Sequence, residues 1–316
     1  MRSKQHSGQR ANQKVSEDLR AIEPFMRRFG YIEPDQPISE GLIYKGLERY
    51  QAFHGLTITG RVDAYTIALI NTPRCGHPEN LKTLDKILRQ KQASMRLRTH
   101  EGSTDGAKTL KKSQKIVLSS GASATQCIGF FFCRWNPLPA VLNYFVDASN
   151  VSLDPISVNN TCKNAFNAWS EALRPNPANP TSLPRVSFNP VMAASAANIV
   201  VQWVRSENDS DGLMSMAVAH SDYPPRCEQL TGMPKPVHLN RNLTWALTLP
   251  SPANSAYDIE TAMLHEIGHI LGADHVPSSV LDTIMHEILP PGLVKHQLSN
   301  CDINNVRDGY GLPLIT

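Results

Sequence analysis

The stretch HEIGHILGADH, residues 265–275, constrains the fold more tightly than any other part of the chain. His265 and His269 are four residues apart. On an α-helix such residues lie one above the other, with Cβ atoms about 5–6 Å apart, so two imidazoles can share one metal ion. Ile259, Met263, Ile267 and Ile270 fall on a second face, and the spacing predicts an amphipathic helix over 255–272, with Ser255 and Asp258 as a capping box. Gly272 permits a left-handed exit that other residues resist, and that turn returns His275 towards the first two. Three imidazoles with one open position describe a catalytic zinc site. Glu266, next to the first ligand, can reach a water at the open position and is the candidate general base. A bare HExxH arises by chance, whereas HExxHxxGxxH on such a helix is far more specific.

The rest of the composition narrows the class. A chain of 316 residues with 41% hydrophobic and 19% charged residues is globular and long enough for about two domains. Its net charge of +3 gives no reason to expect nucleic acid or a membrane surface as partner. No apolar run reaches the ~18 residues of a membrane span, so no transmembrane segment is expected. The opening MRSKQHSGQRANQKVSEDL has no apolar h-region, so no signal peptide is visible in this chain.

Periodicity divides the chain. Residues 1–17 read as a disordered start. Leu19, Ile22, Phe25, Met26 and Phe29, then Leu42, Ile43, Leu47, Tyr50 and Phe53, then a short run from Asp63, predict three helices over 18–79. Residues 80–134 are polar and basic and read as an exposed linker, with a weakly amphipathic helix possible over LKTLDKILRQKQ. From 135 to 316, strand patterns (AVLNYFVD, ANIVVQWV, LMSMAVAH, KPVHLNR) alternate with the helix PISVNNTCKNAFNAWSEAL and the histidine helix. That order predicts an α+β domain, a mixed twisted sheet with packed helices.

Two further motifs give the pattern a family. ERYQAFHGLTITGRVDAYTIALI resembles the peptidoglycan-binding-like fold that opens many matrix metalloproteinase propeptides. PRCGHPE, residues 73–79, resembles their cysteine-switch motif, PRCGxPD. Pro73, Arg74, Cys75, Gly76 and Pro78 match it, and Glu79 stands where the family has Asp, a conservative change for a salt bridge to Arg74. The histidine motif is the metzincin signature, and Met285 in DTIMHEI sits where the family has its methionine turn. The resemblance, to a matrixin zymogen, covers nearly the whole chain.

It implies a latent, secreted-type zinc endopeptidase that hydrolyses peptide bonds in extracellular proteins. His265, His269 and His275 would be the zinc ligands and Glu266 the catalytic residue. Cys75 would be the fourth ligand in the proenzyme, displacing water, because a thiolate binds zinc well. Protein or peptide substrates and an activating protease are the implied partners, with substrate extended along the strand ending near His220. Lys111-Lys112 and the stretch from Arg96 to Arg98 are the candidate cuts.

The departures from the family are specific. Val276 replaces a serine, His286 and Glu287 replace Tyr and Pro after the methionine, and the connection from His275 to Met285 is about two residues longer. No propeller domain is expected after Gly311. His220 and His238 match two ligands of the family's second, structural zinc; Glu207, Asp209 or Asp211 would have to complete it. A second zinc or a calcium therefore stays open, and Asn198 occupies a place where a calcium-binding aspartate is common.

The remaining signals are weaker. Sequons at Asn150, Asn159, Asn208 and Asn242 lean slightly towards secretion. Cys127 and Cys133 flank a short loop they could close, Cys162 reads equally as a buried thiol or a disulfide, and Cys227 and Cys301 have no obvious partners. The competing function is a wall- or glycan-binding protein carrying an inactive protease-like domain. The intact Glu266 and three histidines count against it.

Overall fold

The computed structural model describes residues 17–101 and 129–315, apart from 139, 177, 180, 210, 211, 213, 215, 226, 228–231, 248–254 and 281. The expected N-terminal disorder and the cut at Lys111-Lys112 lie outside the described residues.

Two hydrophobic clusters form, one from each half of the chain. The first is helical: α1 (Glu17–Arg28), α2 (Glu40–Phe53), α3 (Ala64–Ile70) and α4 (Leu81–Glu101). Ser39 caps α2 by accepting from the Leu42 amide, and Asp63 caps α3 by accepting from Thr66. Phe25, Met26, Phe29, Leu47, Tyr50 and Phe53 fill this core. The fourth helix departs from the expected linker. Leu84, Ile87 and Leu88 are buried in the same cluster, each contributing about 1.5–3 kcal/mol by burial. Arg49 Nε reaches Asp85 Oδ1 at 2.8 Å and ties α2 to α4.

The second cluster belongs to a five-stranded sheet. Its strands are β1 (Ala140–Asp147), β2 (Val186–Pro190), β3 (Ile199–Val204), β4 (Ala219–Ser221) and β5 (Lys235–Asn240). The order is β2-β1-β3-β5-β4, parallel except for β4, which runs antiparallel to β5 and forms an edge. Strand β2 was not expected from its sequence, and β4 is shorter than the run that predicted it.

Helix α5 (Pro155–Ala172) packs Phe166 on Tyr144 of the sheet, ring centroids 4.0 Å apart. A two-stranded ladder, β6 (Trp245–Ala246) with β7 (Tyr257–Asp258), leads directly into α6 (Ile259–Leu271). Helix α7 (Asn300–Gly309) closes the chain on a capping box between Ser299 and Asp302.

Two local expectations are corrected. Ser255 does not cap α6: the helix begins four residues later, where Asp258 accepts from the Thr261 amide and hydroxyl, both at 2.7 Å. Cys133 does not close a small loop with Cys127; it pairs with Cys227, 94 residues away, Cα atoms 6.0 Å apart. Cys301 is also disulfide-bonded, whereas Cys75 and Cys162 are buried free thiols. Disulfides persist in oxidising compartments, as in secreted proteins. Among the described residues no helix is long and apolar enough to cross a membrane.

Candidate active site and metal centre

Helix α6 presents His265, Glu266 and His269 to one point. Gly272 ends it at φ +100°, and a Cβ there would fall 1.6 Å from the Cys133 carbonyl oxygen, so only glycine makes this turn. The chain then brings in His275. Beneath lies Met285, pressed so closely on α6 that a Cβ on Gly268 would meet its sulfur at 2.3 Å. The second variable position of HExxH is therefore held to glycine by the methionine floor, which the spacing alone does not reveal.

The protonation pattern follows from the outer nitrogens. His265 Nδ1 donates to the Ile284 carbonyl at 2.7 Å, His269 Nδ1 to the Ala273 carbonyl at 2.8 Å, and His275 Nδ1 to Glu79 Oε1 at 3.0 Å. Burial lowers the pKa of all three rings, His265 to about 4, so each is neutral. Three Nε2 lone pairs then face one another, 3.1, 3.2 and 3.3 Å apart, with no proton between them. That arrangement is repulsive unless a cation lies inside it.

Cys75 closes the set. Its sulfur is 3.6 Å from His269 Nε2, and its ligand atom groups with those of the three histidines. Tetrahedral zinc with N at about 2.0–2.1 Å and S at about 2.3 Å sets donor separations of roughly 3.3–3.4 Å between nitrogens and 3.5–3.6 Å from nitrogen to sulfur. The three nitrogens and the Cys75–His269 pair lie close to that spacing. Burial and the nearby Glu266 charge push the thiol pKa up, so a cation is what would make it a thiolate.

The segment carrying Cys75 lies in a groove as an added strand. The Val218 amide donates to the Arg74 carbonyl at 2.8 Å and the Gly76 amide to the Ala219 carbonyl at 2.7 Å. On the opposite side the Cys75 amide donates to the Glu287 carbonyl at 2.8 Å and the Leu289 amide to the Pro73 carbonyl at 2.9 Å. Arg74 Nη2 binds Glu79 Oε1 at 2.6 Å, as the switch motif implied. His77, to which sequence reasoning gave no role, stacks on His269 with centroids 4.5 Å apart.

Glu266 is fully buried. Its Oε2 accepts from the Ser221 hydroxyl at 2.9 Å, while its Oε1 has no hydrogen-bond partner. Burial raises its pKa to about 8, against the lowering effects of Ser221 and Cys75.

A second cluster joins β4 and β5. Asp209 Oδ1 lies 3.1 Å from His220 Nε2 and 2.8 Å from His238 Nδ1, and the two nitrogens are 3.2 Å apart. Of the three carboxylates weighed from the sequence, Asp209 completes this group. Glu207 instead faces Arg205, and Asp211 lies outside the described residues. Two imidazoles favour zinc over calcium. Asn198 is engaged in the sheet, accepting from the Asn143 amide at 2.8 Å.

Comparison with known proteins agrees with this geometry. The matrixin family model matches residues 134–311. The chain is 26% identical over 306 residues to metalloendoproteinase 5-MMP of Arabidopsis thaliana, covering 93% of this chain and 71% of that one. It is 24% identical over 290 residues to matrix metalloproteinase-A of Caenorhabditis elegans, covering 91% and 44%. To karilysin of Tannerella forsythia it is 28% identical over 185 residues, covering 57% and 34%. A family match over more than half the chain, around a three-histidine zinc site with a cysteine beside it, places this protein in the matrixin family of zinc-dependent metalloendoproteinases.

Proposed function

We propose that this chain is the latent form of a secreted endopeptidase, in which His265, His269 and His275 hold the catalytic zinc, Cys75 fills its fourth position and Glu266 is the catalytic base. The observation that carries the reading is the convergence of four ligand atoms from segments almost two hundred residues apart, at separations suited to zinc. Zinc, when bound, polarises a carbonyl and lowers the pKa of water to about 7.

The chain's own residues do the rest. The groove that holds Pro73–Gly76 offers the Val218 and Leu289 amides and the Ala219 and Glu287 carbonyls, which can pair with an extended substrate peptide. Once Cys75 leaves, Glu266 Oε1 faces the vacated position and takes the proton of the attacking water. Ser221 holds the other oxygen and fixes the carboxylate's direction. Glu266 then delivers that proton to the leaving amine.

Latency is lifted by an activating protease that cuts between the helical unit and the catalytic domain. Arg96 and Arg98 lie within α4, where helical backbone resists a protease, so Lys111-Lys112 is the favoured cut. The test is hydrolysis of a quenched peptide before and after limited trypsin treatment, with and without a chelator. Activity that appears on cutting and disappears with the chelator supports the reading; chelator-resistant activity opposes it.

A further inference from the structure

Glu287 is fully buried, yet neither of its carboxylate oxygens has a hydrogen-bond partner. A carboxylate held this way resists ionisation unless something pairs with it. Its position is fixed by its backbone: the Glu287 carbonyl accepts from the Cys75 amide at 2.8 Å, so the residue stands in the wall of the groove beside the four metal donors.

Its polar surroundings come from the helical half of the chain. His54 Nδ1, at the end of α2, is 3.0 Å from Glu287 Oε1, off the hydrogen-bonding direction, and 3.1 Å from Ser278 Oγ. Burial and then the Glu79 charge push the Glu287 pKa up to about 8, against the lowering effect of Arg74. His54, Arg74 and Glu79 all lie N-terminal to the proposed activation cut and depart together. What remains is a carboxylate on the wall of the emptied groove, with Ser278 near the place of the lost imidazole. Arg74, in the segment now occupying the groove, is paired with Glu79 and acts on Glu287 only through its charge.

We infer that Glu287 is a specificity-determining residue of the mature enzyme, selecting peptides with a lysine or arginine side chain within about two residues of the scissile bond. This rests on the proposed protease reading and adds the substrate class to it. A substrate cation would satisfy the carboxylate through a charge-assisted hydrogen bond. An acidic side chain at the same place would meet like charge, so the site rejects as well as selects. Hydrogen bonds to charged groups correspond to a preference of about tenfold to a hundredfold in kcat/KM.

The experiment uses full-length protein activated by limited trypsin treatment, with the trypsin then blocked by a serine-protease inhibitor. A quenched peptide set carries Lys, Arg, Met, Leu or Glu at each of the positions flanking the cut. The ratio of kcat/KM for Lys or Arg over Met or Leu is read for the wild type, Glu287→Gln and Glu287→Lys. The wild type should prefer the cation by about tenfold or more at one position. Glu287→Gln should bring that ratio close to one, and Glu287→Lys should turn the preference towards Glu. Where Glu287→Gln does not accumulate folded, Glu287→Met makes the same test with an apolar chain of similar length. A wild-type ratio near one at every position, or a ratio unchanged in the uncharged variants, would overturn the inference while leaving the protease reading intact. No hydrolysis of any peptide by any form would overturn both.

Discussion

His275 Nδ1 lies 3.0 Å from Glu79 Oε1, although the two residues are 196 positions apart. The other two metal-site histidines donate their outer hydrogen bonds to carbonyls of their own domain, at Ile284 and Ala273. His275 depends on the segment that carries the switch. The same Glu79 oxygen also binds Arg74, so one carboxylate orients a ligand and anchors the prodomain. Such outer partners typically change metal affinity or activity by about 10–100-fold. Glu79→Ala should therefore make the uncut protein lose zinc faster to a chelator and show higher basal activity. Glu79→Gln, which keeps an acceptor for His275, should retain zinc better than Glu79→Ala. Chelation kinetics of the uncut variants check this; equal rates in wild type and Glu79→Ala would remove Glu79 from the site.

Glu266→Ala should keep its zinc and lose turnover. Glu266 lies outside the four-donor set, so metal content should equal that of the wild type. General acid–base catalysis contributes about 10²–10⁴-fold, and the peptide rate should fall by that order. Metal analysis run beside a peptide assay separates this from His269→Ala, which should lose both. Near-normal turnover in folded Glu266→Ala would end its role as base.

The second cluster should hold a metal of its own. Asp209, His220 and His238 converge with the spacing of a shared ion. Metal analysis of the latent protein should find two equivalents, one for each cluster, and His238→Ala should retain only one. The variant should also melt at a lower temperature, because metal bound only to the folded state stabilises it. One equivalent in the wild type, unchanged in His238→Ala, would show that the cluster binds no metal.

The first cuts by trypsin should fall between residues 102 and 128, with Lys111-Lys112 the favoured point. Leu84, Ile87 and Leu88 hold the first half of helix α4 in the core of the helical unit. On the far side the Cys133–Cys227 disulfide keeps the new N-terminal segment attached to the catalytic domain. N-terminal sequencing of the stable fragment gives the answer. Early cuts within α4 or within the sheet domain would contradict this division of the chain.

What the sequence displayed and what it hid divide along physical lines. The metal site was legible because helix spacing and one glycine turn determine it locally: His265, His269, Gly272 and His275 span only 11 residues. Cys75 was legible through its motif. The missed features depend on distant partners. The apolar face of α4 is sparse among lysines and acquires meaning only against α2. The three candidate carboxylates for the second cluster lay within five residues, and the path of the loop decides for Asp209. Cys133 and Cys227 meet because the segment before the sheet crosses to a loop 94 residues on. Glu287 looked like a mere departure from the family until the structure surrounded it with His54, Arg74 and Glu79.

The claim on which the rest depends is that Cys75 is bound to zinc in the latent protein. X-ray absorption at the zinc edge measures this directly. The uncut wild type should show a sulfur shell at about 2.3 Å beside nitrogen at about 2.0–2.1 Å. The Asp209 cluster supplies only nitrogen and oxygen, so a second zinc there cannot produce sulfur. The sulfur shell should be absent from Cys75→Ser and from the trypsin-activated enzyme. A latent wild type fitted by nitrogen and oxygen alone, or a sulfur shell that survives in Cys75→Ser, would contradict the account.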